Sequence, residues 1–300
     1  MTHPRDPYAF PAEDALRVVG TALDEDLGPD GVDVTTAATI PADQRCSAVV
    51  VARADGVLAG VPAVALTLAA VADRLGCPAP AVEVLRHDGK AVARGDVVAR
   101  VTGVTQVTLV AERTLLNVLS RLSGVATHTA RWADELEGSG AMVLDTRKTT
   151  PGLRALEKYA VRCGGGTNKR MGLYDVAMVK DNHKLAAGGI TAAYEAIRGR
   201  FPDVPVQVEV TTTEEALEAV AAGARFLLCD NMPLDLLFAT VATVRDTGEA
   251  VEVEATGGLT LEVAAAYADT GVDYLSVGAL THSSPVLDLA LDLEQAPPTG

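Results

Sequence analysis

The second half of the chain repeats one pattern, in which an apolar strand ends in a polar or charged residue and a helical segment follows. The strand-like runs are AMVLDT (141–146), VAMVKD (176–181), VQVEV (206–210), FLLCDN (226–231), VEVEAT (251–256) and DYLSVG (273–278). Helical patterns such as TEEALEAVAAGA lie between them. Strands that alternate with helices form a parallel sheet that is covered on both faces. This half is therefore predicted to be an α/β fold.

The ends of these strands favour a barrel over an open doubly wound sheet. No G-x-G-x-x-G follows the first strand of this half, and a charged residue ends almost every strand. In α/β barrels the carboxyl ends of the strands carry the chemistry. The residues predicted to share that mouth are Asp145, Arg147, Lys148, Lys180, Glu209, Asp230, Glu254 and Ser276.

The first half of the chain has a different hydrophobic pattern. Between residues 47 and 108, short alternating runs such as SAVVVARA and VVARVTG predict strands that are joined by turns. A helix is expected over 13–27, with Leu16, Val19, Leu23 and Leu27 on its apolar face. A second, longer helix is expected over 111–136 as a link between two domains, with Leu115, Leu119, Leu122 and Ala126 on one face.

A basic segment separates the first two strands of the second half. Residues 145–184 contain nine basic and four acidic residues, although the 300-residue chain has a formal net charge of −15. Nucleic-acid binding needs a broad basic surface, so this segment favours a pocket for a small polyanion. A solvated basic face remains the alternative. Gly164 to Gly166 are interpreted as allowing the backbone to approach a charged ligand.

Two loops near the end of the chain predict a phosphate site. ATGGLT (255–260) and VGALTHS (277–283) follow the last two strands and place small residues where the chain turns. Barrels often bind phosphate after their final strands. Tight turns that need glycine for their geometry are the structural alternative, and two consecutive loops of this kind favour phosphate.

Several classes of protein are disfavoured. The longest uncharged run, 56–72, has 17 residues and contains Gly60 and Pro62, so it is too short and too broken to span a bilayer. The N-terminus lacks the pattern of an export signal, which predicts a cytoplasmic protein. The four cysteines are widely separated, so neither a disulfide framework nor a zinc site is indicated.

Six motifs in order resemble one known family. DTRKTTPGLRALEKYAVRCGGGTNKR, MVKDNH, VEVTT, LLCDN, EATGG and VGALTHS resemble quinolinate phosphoribosyltransferase, and the resemblance runs from about residue 13 to residue 291. It implies an N-terminal α/β sandwich domain (1–112) and an incomplete seven-stranded α/β barrel (113–283), with the extra strand near AVRCGG. A C-terminal tail (284–300) is expected to pack back on the N-terminal domain. The resemblance also implies a homodimer with shared active sites.

The resemblance implies an activity and a set of site residues. The family transfers phosphoribosyl from phosphoribosyl pyrophosphate to quinolinate with decarboxylation, and it uses Mg²⁺. The positions that match catalytic residues are Lys148, Lys180, Glu209 and Asp230, of which Glu209 and Asp230 also match metal-binding positions. The positions assigned to substrate binding are Arg147, Lys169, Arg170, Lys180, Glu254, Thr256, Gly257, Gly258, Ser276, Gly278 and His282, together with Arg113, which is expected to act in the partner's site.

One departure from the family pattern bears on the choice of substrate. Family members commonly have Asn-His-Arg where this chain has Asn168-Lys169-Arg170. Lysine keeps a cation but loses the planar imidazole, so a related enzyme that acts on a different pyridine carboxylate stays open. A Schiff-base lyase that uses Lys180 and a non-catalytic binding protein stay open as well.

Overall fold

The structure is a computed structural model that describes residues 9–294. Within this range, one compact unit comprises 9–130, 149–165 and 283–294, and the other comprises 131–148 and 166–282. The N-terminal segment 1–8 and the last six residues of the predicted tail (284–300) lie outside the described residues. The linear domain boundaries inferred from the sequence stay predictions, because the compact units combine discontinuous segments.

The first unit contains an antiparallel sheet. Its strands are β1 (Arg45–Ala52), β3 (Ala81–Val84), β5 (Val97–Val104) and β12 (Leu289–Leu293), in the order β12-β1-β5-β3. A two-stranded sheet pairs β2 (Gly56–Val57) with β4 (Ala91–Val92). The helices are α1 (Ala12–Leu27), α2 (Val34–Thr39), α3 (Pro62–Leu75), α5 (Arg154–Cys163) and most of α4 (Thr105–Glu135). The alternating runs therefore form strands as predicted, and β12 joins them from the far end of the chain.

The two predicted helices of this half are present, and one predicted core residue is wrong. Leu16 of α1 is 45% exposed, because the buried stripe of α1 is Ala15, Val19, Leu23 and Leu27, in steps of four residues. Leu16 is next to that stripe rather than on it. The apolar face predicted for α4 is confirmed, since Leu115, Leu119, Leu122 and Ala126 are buried.

The second unit contains a parallel sheet with helices after its strands. The strands are β6 (Met142–Leu144), β7 (Ala177–Val179), β8 (Val206–Val210), β9 (Phe226–Asp230), β10 (Glu252–Thr256) and β11 (Tyr274–Ser276). The helices are α6 (Asp181–Ala187), α7 (Ile190–Arg200), α8 (Thr213–Ala221), α9 (Leu234–Asp246), α10 (Ala264–Ala268) and α11 (Ala279–His282), with a 3₁₀ turn at Leu261–Val263. All five residues of β8 are buried, as expected for a parallel strand that is covered on both faces.

The strand order gives the unit its barrel character and corrects the position of the extra strand. The order is β6-β11-β10-β9-β8-β7, so the first strand in sequence pairs with the last. The extra strand expected near AVRCGG is reduced to a single bridge just after this motif, because residues 160–163 belong to α5 and a turn follows. At the edge of the sheet formed by β6, one parallel bridge in the described residues pairs Leu144 with Thr167. The predicted fold class is confirmed as an α/β barrel with six named strands.

None of the helices within residues 9–294 combines the length and the apolar character that a membrane span requires.

Candidate active site

The carboxyl ends of the parallel strands surround a cavity of ≈ 790 Å³. Its lining residues belong to the second unit. The predicted site residues that line it are Arg147, Lys148, Lys169, Arg170, Lys180, Glu209, Asp230, Thr256, Gly257, Gly258, Ser276, Gly278 and His282. The strand-end pattern thus gathers most of the predicted residues in one place, and their individual roles stay predictions.

Three predicted residues do not line the cavity. Asp145 and Glu254 are fully buried, so neither carboxylate has a surface that a ligand can reach. Arg113 is exposed on α4 in the first unit. A role for Arg113 in a neighbouring subunit's site therefore stays a prediction.

Asp145 organises the segment that carries the basic residues. Its carboxylate accepts hydrogen bonds from the Asn168 side-chain amide (2.6 Å) and from the Lys169 backbone N–H (2.9 Å). Next to these contacts, the Asp145 backbone N–H donates to the carbonyl of Thr167 (3.2 Å). Asp145 directly follows β6, so these bonds fix Lys169 and Arg170 relative to the first strand of the barrel.

The glycine run has a packing role rather than the role inferred from the sequence. A Cβ on Gly164 would lie 2.3 Å from the carbonyl oxygen of Ala126 and 2.7 Å from Cβ of Thr129, both on α4. Gly165 has a φ of +86°, which favours glycine. None of Gly164 to Gly166 lines the cavity. The run therefore allows close packing on α4 and a tight turn, and the approach to a ligand was a wrong interpretation.

Two of the cavity's lysines are paired with acidic residues. The Lys180 ammonium donates to Glu209 at 2.7 Å, across the neighbouring ends of β7 and β8. The Lys169 ammonium donates to Glu254 on β10. These carboxylates offset the charge of two of the cations around the cavity.

Three other cations have no such partner. Within residues 9–294, Arg147, Lys148 and Arg170 form no ion pair with a carboxylate, and the Arg147 Nε is buried without a hydrogen-bond partner. Arg170 donates to the carbonyl of Val176 (3.0 Å). Burial and the neighbouring Arg147 lower the pKa of Arg170, while Asp175 opposes them. A buried polar group without a partner is unfavourable, so this edge of the cavity is suited to an anionic ligand.

The environment of Lys169 works against its charge. Its side chain is 11% exposed. Burial lowers the pKa of Lys169, the nearby Lys180 and Arg170 lower it further, and the contact with Glu254 opposes that shift. The charged form of Lys169 therefore depends on Glu254.

The loops after β10 and β11 bring backbone to the cavity. Gly257 has a φ of +106°, and a Cβ there would lie 2.2 Å from Oδ1 of Asn231. A Cβ on Gly278 would lie 3.0 Å from Cδ of Lys148 and 3.2 Å from Nε2 of His282. Gly257 thus leaves room for the Asn231 side chain, whereas a side chain at Gly278 would require Lys148 and His282 to shift slightly.

Several lining residues were not predicted from the sequence. Asn231 follows β9, has a φ of +52° and donates its side-chain amide to Asp230 (3.0 Å). Met178 and Leu228 supply apolar surface. Each lies two residues before a predicted site residue, Lys180 or Asp230, and side chains two apart in a strand share a face. That periodicity was the signal that could have identified them.

Comparisons with known proteins agree with this geometry. The C-terminal domain of quinolinate phosphoribosyl transferase matches residues 125–292, and the N-terminal domain of the same family matches residues 33–123. A solved structure of the nicotinate-nucleotide pyrophosphorylase from Francisella tularensis superposes with a TM-score of 0.88 and 33% sequence identity, covering 97% of this chain and 100% of that one.

Curated relatives match along most of their length. The nicotinate-nucleotide pyrophosphorylase [carboxylating] of Mycobacterium leprae is 44% identical over 282 residues, which cover 94% of this chain and 97% of that protein. The chloroplastic enzyme of the same name from Arabidopsis thaliana is 40% identical over 307 residues, covering 96% of this chain and 85% of that protein. Two domain matches, these identities and a barrel with a cationic mouth lead to one conclusion: the chain belongs to the quinolinate phosphoribosyltransferase family.

Proposed function

We propose that this chain transfers the phosphoribosyl group of phosphoribosyl pyrophosphate to quinolinate, and releases pyrophosphate and CO₂ to give nicotinate mononucleotide in NAD biosynthesis. The observation that carries the proposal is a set of cations around one cavity of an acidic chain, Arg147, Lys148 and Arg170, which have no carboxylate partner among residues 9–294. Both substrates are polyanions, and they repel each other unless cations neutralise them. The family and its relatives point to the same reaction.

The cavity offers separate surfaces for the two substrates. Arg147 and Arg170 have planar guanidinium groups that suit the carboxylates of quinolinate, and Lys148 lies beside Arg147 in sequence. The loops after β10 and β11 are suited to the phosphate of the ribose, since Gly257, Gly258 and Gly278 let backbone approach a ligand. His282 ends α11, and its ring lies close to Gly278.

The reaction needs orientation and electrostatics more than a general base. The lone pair of the pyridine nitrogen forms a bond to the anomeric carbon of the ribose, while the bond from that carbon to pyrophosphate breaks. The nitrogen becomes cationic and stabilises the electron pair that remains at C2 when the C2 carboxylate leaves as CO₂. A proton then takes that place on the ring. Fixed cations that orient both substrates accelerate the reaction, because they bring the reacting atoms together and stabilise the charge that develops.

Mg²⁺ fits this site as a companion of phosphoribosyl pyrophosphate. The described residues hold no group of three or more His, Cys, Asp or Glu that could bind a metal by themselves. Glu209 and Asp230 lie at the ends of the adjacent strands β8 and β9 and line the cavity. Mg²⁺ commonly binds one or two carboxylates together with substrate phosphates and water. Glu209 and Asp230 would hold the ion, which would supply positive charge to the departing pyrophosphate.

A homodimer and a cytoplasmic location complete the proposal. Arg113 is exposed on α4 and is available to a second subunit, which supports its predicted role in the partner's site. The four cysteines are free, as is usual in a reducing compartment.

Purified protein incubated with quinolinate, phosphoribosyl pyrophosphate and Mg²⁺ tests the proposal directly. Nicotinate mononucleotide should form, detected by chromatography and mass. Nicotinate and pyridine-2,6-dicarboxylate in place of quinolinate test for a changed substrate, and product from one of these but not from quinolinate would overturn the proposal. Borohydride trapping tests the Schiff-base hypothesis.

A further inference from the structure

A buried polar cluster lies beneath the cavity and is not explained by substrate contact. It consists of Glu254 on β10, Gln207 on β8, Ser276 on β11 and Lys169, and it is called the Glu254 cluster below. Glu254 and Gln207 are 0% exposed and Ser276 is 4% exposed. Lys169 and Ser276 also line the cavity, so the cluster connects the barrel interior to the site.

Glu254 is the centre of this cluster. Its Oε1 accepts hydrogen bonds from the Lys169 ammonium and the Ser276 hydroxyl. Its Oε2 accepts one from the Gln207 amide at 2.6 Å. A fully buried carboxylate is costly unless it is paired and hydrogen-bonded, and here both oxygens have donors. Ser276 and Gln207 hold the carboxylate in place, and Lys169 neutralises it.

We propose that Glu254 is a positioning residue for the reaction, which acts through Lys169. Its carboxylate fixes the Lys169 ammonium at the cavity, next to Arg170, which the proposed function assigns to a carboxylate of quinolinate. This inference rests on the proposed function and adds a residue that touches neither substrate. It also explains how a lysine serves where family members commonly have histidine: a long flexible side chain is useful for recognition only when its end is fixed.

The charges around Lys169 show why it needs this support. Arg170 follows it in the chain, Lys180 approaches it from the end of β7, and both disfavour its charged form. Asp145 accepts a hydrogen bond from the Lys169 backbone N–H, and Glu209 accepts one from the Lys180 ammonium. Glu254 accepts a hydrogen bond from the Lys169 ammonium itself. Loss of the Glu254 charge would leave Lys169 both less fixed and easier to deprotonate.

The substitution Glu254→Gln removes the charge and keeps the shape. The new amide can still accept from Lys169 and Ser276 through its oxygen. Its nitrogen can donate to Gln207, whose Oε1 is buried without a partner and could turn to face it. The substitution therefore tests charge rather than packing. Glu252→Gln is the matched control, because Glu252 is an exposed carboxylate on the same strand.

Steady-state kinetics across pH distinguish a positioning role from a structural one. In Glu254→Gln, the KM for quinolinate should rise about tenfold while the KM for phosphoribosyl pyrophosphate stays within about twofold. Activity should also fall at alkaline pH where the wild type does not, since the pKa of Lys169 decreases further and the ammonium loses its proton as pH rises. Glu252→Gln should match the wild type in all three respects.

A second background separates this inference from the proposed function. In Lys169→Met, adding Glu254→Gln should change the KM for quinolinate no further, because the residue through which Glu254 acts is gone. If Glu254→Gln folds poorly, Lys169→Met with Glu254→Met replaces the pair by apolar residues of similar size and should give the quinolinate KM of Lys169→Met alone. If the wild type is active and Glu254→Gln has wild-type kinetics, the inference alone is overturned. It is also overturned if Glu254→Gln raises the KM for quinolinate equally in the wild-type and Lys169→Met backgrounds. An inactive wild type would overturn the proposed function.

Discussion

At the scale of single residues, Arg147 lines the cavity and has a buried polar atom that a ligand could hydrogen-bond. Its Nε is buried without a hydrogen-bond partner in the described part of the chain. If Arg147 binds a substrate carboxylate, Arg147→Ala should lower kcat/KM for quinolinate. The decrease should correspond to a loss of transition-state stabilisation on the order of 2–5 kcal/mol, as for other buried charge partners. The melting temperature should change little, since few contacts within the protein are lost.

Arg200→Ala provides the comparison for that measurement. Arg200 is an exposed arginine on α7 in the same unit, away from the lining of the cavity. Its removal should leave kcat/KM unchanged. Arg147→Ala with wild-type kinetics would exclude Arg147 from the substrate site.

Lys169 allows a second test at this scale, because histidine in its place would titrate. Lys169→His should remain active on quinolinate and gain a pH dependence in the range about the usual histidine pKa of roughly 6.5. Activity should fall as pH rises through this range, because the imidazolium loses its proton. Profiles of kcat/KM against pH for both proteins check this. A wild type that already shows this fall, or a variant without it, would contradict a cationic role for Lys169.

Sequence reasoning succeeded for residues at strand ends and failed where burial decides the role. Lys180, Glu209 and Asp230 could be placed because each lies at the end of an apolar run. Asp145 and Glu254 end such runs too, yet both are fully buried and hold other side chains in place. Which strand-end residue reaches the cavity depends on neighbours from other strands, and the sequence does not reveal them.

At the scale of elements, the loop after β10 depends on Gly257. A side chain there would meet Asn231 and would also require a strained backbone, since φ is +106°. Gly257→Ala should therefore lower stability by about 1–3 kcal/mol and reduce kcat/KM, because Asn231 lines the same cavity. Thermal melting and kinetics measure the two effects separately.

Gly248→Ala separates backbone strain from the clash. Gly248 has a φ of +72°, but nothing lies within 4 Å of a Cβ built there. Its substitution should lower the melting temperature and leave kcat/KM intact. Equal kinetic effects in the two variants would contradict a specific role for the Gly257 loop.

The predicted elements were right where periodicity was long, and the extra strand near the glycine run was placed only approximately. The helix α4 and the six parallel strands follow from apolar patterns that burial imposes. AVRCGG instead ends the helix α5, and Gly164 packs on α4. The role of this glycine run is determined by its packing against α4, which is distant in the sequence. The local pattern therefore could not indicate it.

At the scale of the whole molecule, the proposed shared active sites predict complementation between two inactive variants. Arg113→Ala and Lys180→Ala should each be nearly inactive as homodimers. A heterodimer of the two would have one site with both lesions and one site with neither. After complete subunit exchange, half of the dimers are mixed, so activity should recover to about a quarter of the wild-type value.

The pair Arg147→Ala and Lys180→Ala is the control for exchange. Both residues line the cavity of the same unit, so every site of a mixed dimer keeps one lesion. That mixture should stay inactive. Mixed dimers of Arg113→Ala and Lys180→Ala that show no recovery would place Arg113 outside the partner's site.

The domain organisation was the least predictable feature at this scale. One compact unit combines residues 9–130, 149–165 and 283–294, so it takes a helix from the middle of the chain and a strand from its end. The strand β12 pairs with β1 in antiparallel register, with Leu291 opposite Val50. Periodicity along the chain locates helices and strands, but it does not show which distant segments pair.

The most direct test of the central claim is the fate of the C2 carboxylate of quinolinate. The wild type, supplied with quinolinate that is isotopically labelled at this carboxylate, phosphoribosyl pyrophosphate and Mg²⁺, should release one labelled CO₂ for each pyrophosphate formed. The nicotinate mononucleotide produced should carry no label. Pyrophosphate formed without labelled CO₂, or a product that retains the label, would contradict the assignment of this cavity to decarboxylating phosphoribosyl transfer.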